Sequence, residues 1–188
     1  MLAAMTTYGW KPGPGDPSIT GWLIFGGYLA VAGFAWRAGR RDAARGLDPF
    51  LWRALAAACV LLALNKQLDL HNAITAWGRS LARAQGWYRN RQVVQLGLLV
   101  GLALAGSVAM AWIFRRTGSD WKRHQFTWAG LLVLVTFLGI RAASFHHLDA
   151  WWRMDFGGVR LHAIIELTGI ALLFLSAWRT ARGEHHKV

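Results

Sequence analysis

The sequence predicts an all-α polytopic membrane protein, a bundle of five transmembrane helices plus a short interfacial helix, in one domain over residues 1–188. Three observations carry this. The chain is 55% apolar and only 16% charged, against about a quarter charged in an average soluble domain. Its apolar residues gather in five proline-free runs of about 20 residues, the length an α-helix needs to cross hydrocarbon. Apart from Trp10 before the first run and Lys66 and Arg141 inside the runs, the 12 Trp and the 21 Lys and Arg fall outside the centres of those runs, most of them at the run ends.

Residues 1–18 read as an extended outer tail, because three of the four prolines fall in Lys11-Pro-Gly-Pro-Gly-Asp-Pro17. The first span, 19–36, starts too late and lacks the basic flank of a cleaved signal peptide. Pro49 precedes the second span, 51–70. In 73–88, Ile74, Trp77, Leu81 and Ala84 recur at three and four residues with Arg79 and Arg83 elsewhere on the surface, the pattern of a helix lying in the interface with its arginines towards lipid phosphate. The remaining spans are 93–114, 126–145 and 159–178. In the third, Gly97, Gly101 and Ala105 form a row of small residues suited to close helix packing.

Tryptophan prefers the headgroup level. Trp22, Trp77, Trp87, Trp151 and Trp152 mark one interface; Trp36, Trp52, Trp112, Trp121, Trp128 and Trp178 mark the other, and all are read as interface anchors in preference to core residues. Orientation follows from the basic residues, which favour the cytoplasmic side. One side carries twelve (Arg37, Arg40, Arg41, Arg45, Arg53, Arg115, Arg116, Lys122, Arg123, Arg179, Arg182, Lys187) and the other seven (Lys11, Arg79, Arg83, Arg89, Arg91, Arg153, Arg160). This places the N-terminus outside and the C-terminus in the cytoplasm, and the Arg-rich, Lys-poor usage suggests a bacterial inner membrane.

The net charge of +12 belongs to these span ends and forms no basic helix face, which excludes nucleic acid as a partner. Cys59 is the single cysteine, so neither an internal disulfide nor a cysteine metal site is available. No Gly-rich phosphate loop, nucleophile elbow or HExxH occurs.

Polar residues inside the spans converge at the outer end, from Asn65, Lys66, Gln67, Asp69 and His71 through Gln92, Gln95 and Arg141 to His146, His147, Asp149, His162 and Glu166. Ionisable groups at that depth cost about 2.5–3.5 kcal/mol each on insertion scales, so they face a partner, a cavity or a site. Three readings follow. His162 and Glu166, at i and i+4, share a helix face and suit a divalent ion such as zinc, with His146, His147, Asp149, Asp69 or His71 completing the set and a metal-bound water as nucleophile. Alternatively, Lys66 and Arg141 balance Asp69 and Glu166 with no metal, or Lys66, Arg141 and Asn65 receive an anionic lipid. The third reading is b-type haem between two histidines, such as His71 or His146 with His162. His124, His185 and His186 read as solvated.

The stretch Arg160-Leu161-His162-Ala163-Ile164-Ile165-Glu166 resembles the last-helix HxxxH motif of the CREST superfamily, membrane zinc hydrolases that include alkaline ceramidases and adiponectin-receptor-like proteins. Gly139-Ile140-Arg141-Ala142-Ala143-Ser144-Phe145-His146 is similar to that family's Ser and His segment. The resemblance implies zinc held by His162 and His146, with His147 and Glu166 beside them, and Asp69, Ser144 and Arg141 as catalytic candidates for hydrolysis of a lipid amide or ester. Glu166 stands where the family's second histidine falls, and Ser144 and His146 lie closer together than the family's pair. The function expected is thus a metal-dependent hydrolase of a membrane lipid. The alternatives are an accessory or structural subunit working with other membrane subunits, and a haem-binding redox subunit.

Overall fold

A computed structural model describes residues 16–68, 101, 104, 106–108, 111–116, 123–143, 155–156 and 159–183, together with 77, 81, 83 and 84. Among them four long helices stand out: α1 (Ile19–Ala44), α2 (Phe50–Leu68), α3 (Gln125–Ala143) and α4 (Leu161–Arg182). α1, α2 and α4 are each long and apolar enough to cross a membrane, and Gln125–Gly139 of α3 is a shorter apolar helix. The chain is a helical membrane protein.

α1 starts where Ser18 caps it, its hydroxyl accepting the Gly21 N–H at 3.0 Å while donating to Asp16 at 2.6 Å. The helix continues beyond the apolar run through Arg37–Ala44, giving 26 residues, about 39 Å at 1.5 Å per residue and thus longer than the hydrocarbon layer. Gly46 ends the turn with φ 73°. α2 then begins with Asp48 accepting the Phe50 N–H at 2.9 Å. α4 stops at Gly183, whose left-handed φ of 79° a side chain rarely adopts.

The last span differs from the expected 159–178. Val159–Arg160 pairs antiparallel with Asp155–Phe156, so the helix starts at Leu161 and runs to Arg182.

α1 packs along α2 and α4, and α4 also packs along α3. The buried positions Ile24, Tyr28, Val31, Ala35 and Ala38 on α1, and Ile170, Leu173 and Ala177 on α4, recur at three and four residues and form one core with Trp52, Leu55, Cys59, Ala63 and Leu134. Small residues set the spacing. A Cβ on Gly130 would lie 2.8 Å from Leu173, and one on Gly169 would lie 2.7 Å from Leu134. Leu23, Leu61, Leu132 and Val135 face outward, as lipid contact allows.

The index pairs give the directions. Tyr28–Glu166, Phe34–Phe174 and Arg41–Ala181 advance together, so α1 and α4 are parallel. Thr127–Ser176, Gly130–Leu173 and Leu134–Gly169 run oppositely, so α3 is antiparallel to α4. α2 returns antiparallel to α1, as Asp42–Trp52 and Asp16–Lys66 show.

Two tryptophans correct the interface reading. Trp52 is 0% exposed and Trp128 is also buried, whereas Trp22, Trp36, Trp77 and Trp112 are exposed. A buried indole needs a partner for its N–H, and Asp42 supplies it for Trp52 at 2.9 Å. His124 is likewise not solvated. It is 4% exposed and meets the Trp52 ring edge-on at 5.4 Å.

Candidate functional site

The end of the bundle where α1 and α4 begin and α2 and α3 finish carries the polar cluster. Its centre is Glu166, buried one turn into α4 beyond His162. Glu166 Oε1 accepts the Tyr28 hydroxyl at 3.0 Å, and Oε2 faces Lys66 Nζ at 3.4 Å. Both side chains of this ion pair are largely buried, at 12% exposure for Lys66 and 6% for Glu166. At 3.4 Å the contact is longer than a well-formed N–H···O bond, so most of its attraction is charge on charge.

Lys66 meets a second carboxylate, Asp16, also at 3.4 Å. Burial pushes the Asp16 carboxyl upward, but hydrogen bonds from the Ser18 hydroxyl and N–H, together with Lys66, outweigh it and leave the group below its ordinary value of 3.8. Three helices and the segment preceding α1 are thereby tied at one point. Counting Asp16, Glu166 and Lys66, the described cluster carries one negative charge in excess.

Lys66, Glu166 and His162 thus lie in one region, and Asn65 is half-buried in the turn of α2 that carries Lys66. The backbone of Arg141 lies in the last turn of α3; continuing the α3–α4 register brings its Cα level with His162. Asp69, Ser144, His146 and His147 fall outside the described residues, as do His71 and Asp149. Among the described residues, no group of three or more His, Cys, Asp or Glu side chains could hold a metal ion. His162 and Glu166 are the described members of the expected metal set, and both Glu166 oxygens already have protein partners. Lys66, expected as an anion-binding residue, faces two carboxylates and has its charge balanced within the chain.

Sequence reasoning missed Tyr28 and Asp16. Tyr28 was legible as a polar hydroxyl within the apolar part of α1, but its partner lies 138 positions away. Asp16 sat in a stretch read only as a tail.

A second polar node occupies the opposite end. Buried Asp42 accepts from Trp52 Nε1 and pairs with Arg123. Exposed Asp48 pairs with Arg116 at 2.7 Å, and Arg116 lies over the Phe50 ring at 4.6 Å. Compared with protein-family models, curated proteins and solved structures, the chain matches none.

Proposed function

We propose that this chain is a five-span membrane protein acting as an accessory or structural subunit, whose outer-end polar cluster locks helix register. The observation that carries the reading is the full engagement of Glu166 by Tyr28 and Lys66. A buried ion pair adds little net stability, because desolvation offsets attraction, but it penalises every register that separates the charges. Five spans are supported by the positions of the chain ends. Leu68 finishes at the Lys66 end, whereas Arg116 and Trp112 meet Asp48 and Phe50 at the other. These two described ends lie at opposite ends of the bundle, as a span at 93–114 requires. The Lys and Arg bias supports an inner-membrane setting with the cluster facing outward.

A second reading, a metal-dependent hydrolase of a membrane lipid, draws on His162 one turn before Glu166 and on the two carboxylates, Asp16 and Glu166, that face Lys66. A divalent cation would be held with His146 and His147, and Asp69, Ser144 and Arg141 would stand near it. Haem b between histidines is the remaining cofactor reading. Elemental analysis and a visible spectrum of the purified protein test all three. Absence of stoichiometric metal and of a Soret band is expected. One zinc per chain would overturn the structural reading in favour of the hydrolase, and a Soret band would favour a redox subunit.

A further inference from the structure

We propose that α1 and α4, at the Asp42 end, together bind the headgroup of an anionic phospholipid from the adjoining leaflet. Phe34, Arg37 and Arg41 follow one another at three and four residues on α1, and Phe174, Trp178 and Arg182 at four on α4, so each trio forms a stripe along its helix. The helices are parallel here; the two stripes meet at their phenylalanines, and Arg41 reaches the α4 backbone beside the second stripe. The Phe34 and Phe174 rings contact edge-to-face at 5.1 Å, and Arg41 donates to the Ala181 carbonyl at 2.9 Å. Along both helices the aromatic rings come first and the guanidinium groups follow, towards the end that carries Asp42.

The cations rest on the rings beneath them. Arg37 lies 5.7 Å from the Phe34 centroid and Arg182 lies 4.3 Å from that of Trp178. Among the described residues, no carboxylate lies within ion-pair distance of Arg37, Arg41 or Arg182. The described acids at this end, Asp42 and Asp48, are paired with Arg123 and Arg116. Arginines in a last helical turn complement the helix dipole, which accounts for Arg41 and Arg182 but not for Arg37, about two turns from the end of α1. Guanidinium groups suit a phosphodiester through paired N–H donors. The aromatic layer beneath them suits a phosphate that carries acyl chains, for which free phosphate has no use. This inference needs only the membrane setting of α1 and α4, not the role of the Glu166 cluster.

The test uses purified full-length protein in nonionic detergent, with thermal unfolding read after adding phosphatidylglycerol, phosphatidylcholine of the same chains, or inorganic phosphate. Phosphatidylglycerol is expected to raise the midpoint saturably, whereas phosphatidylcholine and phosphate leave it unchanged. The rise should vanish in the Arg37→Gln, Arg182→Gln double variant and persist in Arg160→Gln, at the opposite end. An equal rise with phosphatidylcholine or with phosphate alone, or a rise preserved in the double variant, overturns the proposal. Should the double variant not fold, spin-labelled lipids on the wild-type protein decide. Preferential association of phosphatidylglycerol over phosphatidylcholine supports the site, and equal association rejects it.

Discussion

The indole N–H of Trp52 donates to Asp42 at 2.9 Å across the α1–α2 connection, making an acidic residue in an arginine-rich stretch part of the core. Arg123, preceding α3, pairs with the other carboxylate oxygen, Oδ1. One carboxylate thus joins three segments, and its removal leaves both donors without it. Asp42→Ala is expected to cost about 3–5 kcal/mol, the range for breaking a buried pair. Trp52→Phe, which spares the ion pair, should cost about 1–3 kcal/mol for the unsatisfied acceptor. Denaturant unfolding of the two variants gives the order, and a Trp52→Phe loss equal to that of Asp42→Ala would show that Arg123 contributes nothing.

The Lys66–Glu166 pair lends itself to a double-mutant cycle. Lys66→Met and Glu166→Gln should each destabilise, and the double variant should lose less than the sum of the two, with a coupling of about 0.5–3 kcal/mol. Tyr28→Phe, which removes one hydrogen bond to a charged group, should cost about 1.5–3 kcal/mol. Strict additivity of Lys66→Met and Glu166→Gln would mean that the 3.4 Å contact carries no energy.

Close approach of α3 and α4 depends on glycine. Gly169→Val places a side chain 2.7 Å from Leu134 and is expected to destabilise by about 1–3 kcal/mol through overpacking. Gly26→Ala meets nothing within 4 Å and should gain about 0.5–1 kcal/mol from helix propensity. Thermal midpoints in detergent compare them; a neutral Gly169→Val would mean that the two helices separate without cost.

Acid sensitivity should trace partly to Asp16. Its folded-state carboxyl lies below the ordinary 3.8, so the unfolded chain binds the proton first. The stabilisation is full above the ordinary value and is lost as pH falls through the lowered one. In an acid titration of the unfolding midpoint, Asp16→Asn is expected to flatten the loss on that side. Parallel titration curves for Asp16→Asn and wild type would sink this assignment.

Topology has its own check. Reporter fusions after Leu47 and Gly183 should report cytoplasm, and those after Gln85 and Asp155 the outside. The opposite pattern would reverse the orientation and place the Glu166 cluster at the inner leaflet.

Membrane residence was readable from residues alone, because hydrophobic span length depends on neighbours in sequence. That is why α1, α2 and α4 emerge where apolar runs stand. The ends were less legible. α1 persists to Ala44 because helix hydrogen bonding continues through arginines once they leave the hydrocarbon, and α4 gives up Val159–Arg160 to a strand pairing with Asp155–Phe156. Gathering of Lys66, His162 and Glu166 at one end was foreseeable, since alternating helix directions bring those span ends together. Partner choice was not. Whether Glu166 meets Tyr28, Lys66 or a metal depends on the rotation and register of helices far apart in sequence, and whether Trp52 lies at the interface or in the core depends on which face α2 turns towards Asp42. Composition and periodicity decide that a helix forms and where it resides; only tertiary packing decides which of its polar groups find each other, because in lipid each must be satisfied by another part of the same fold.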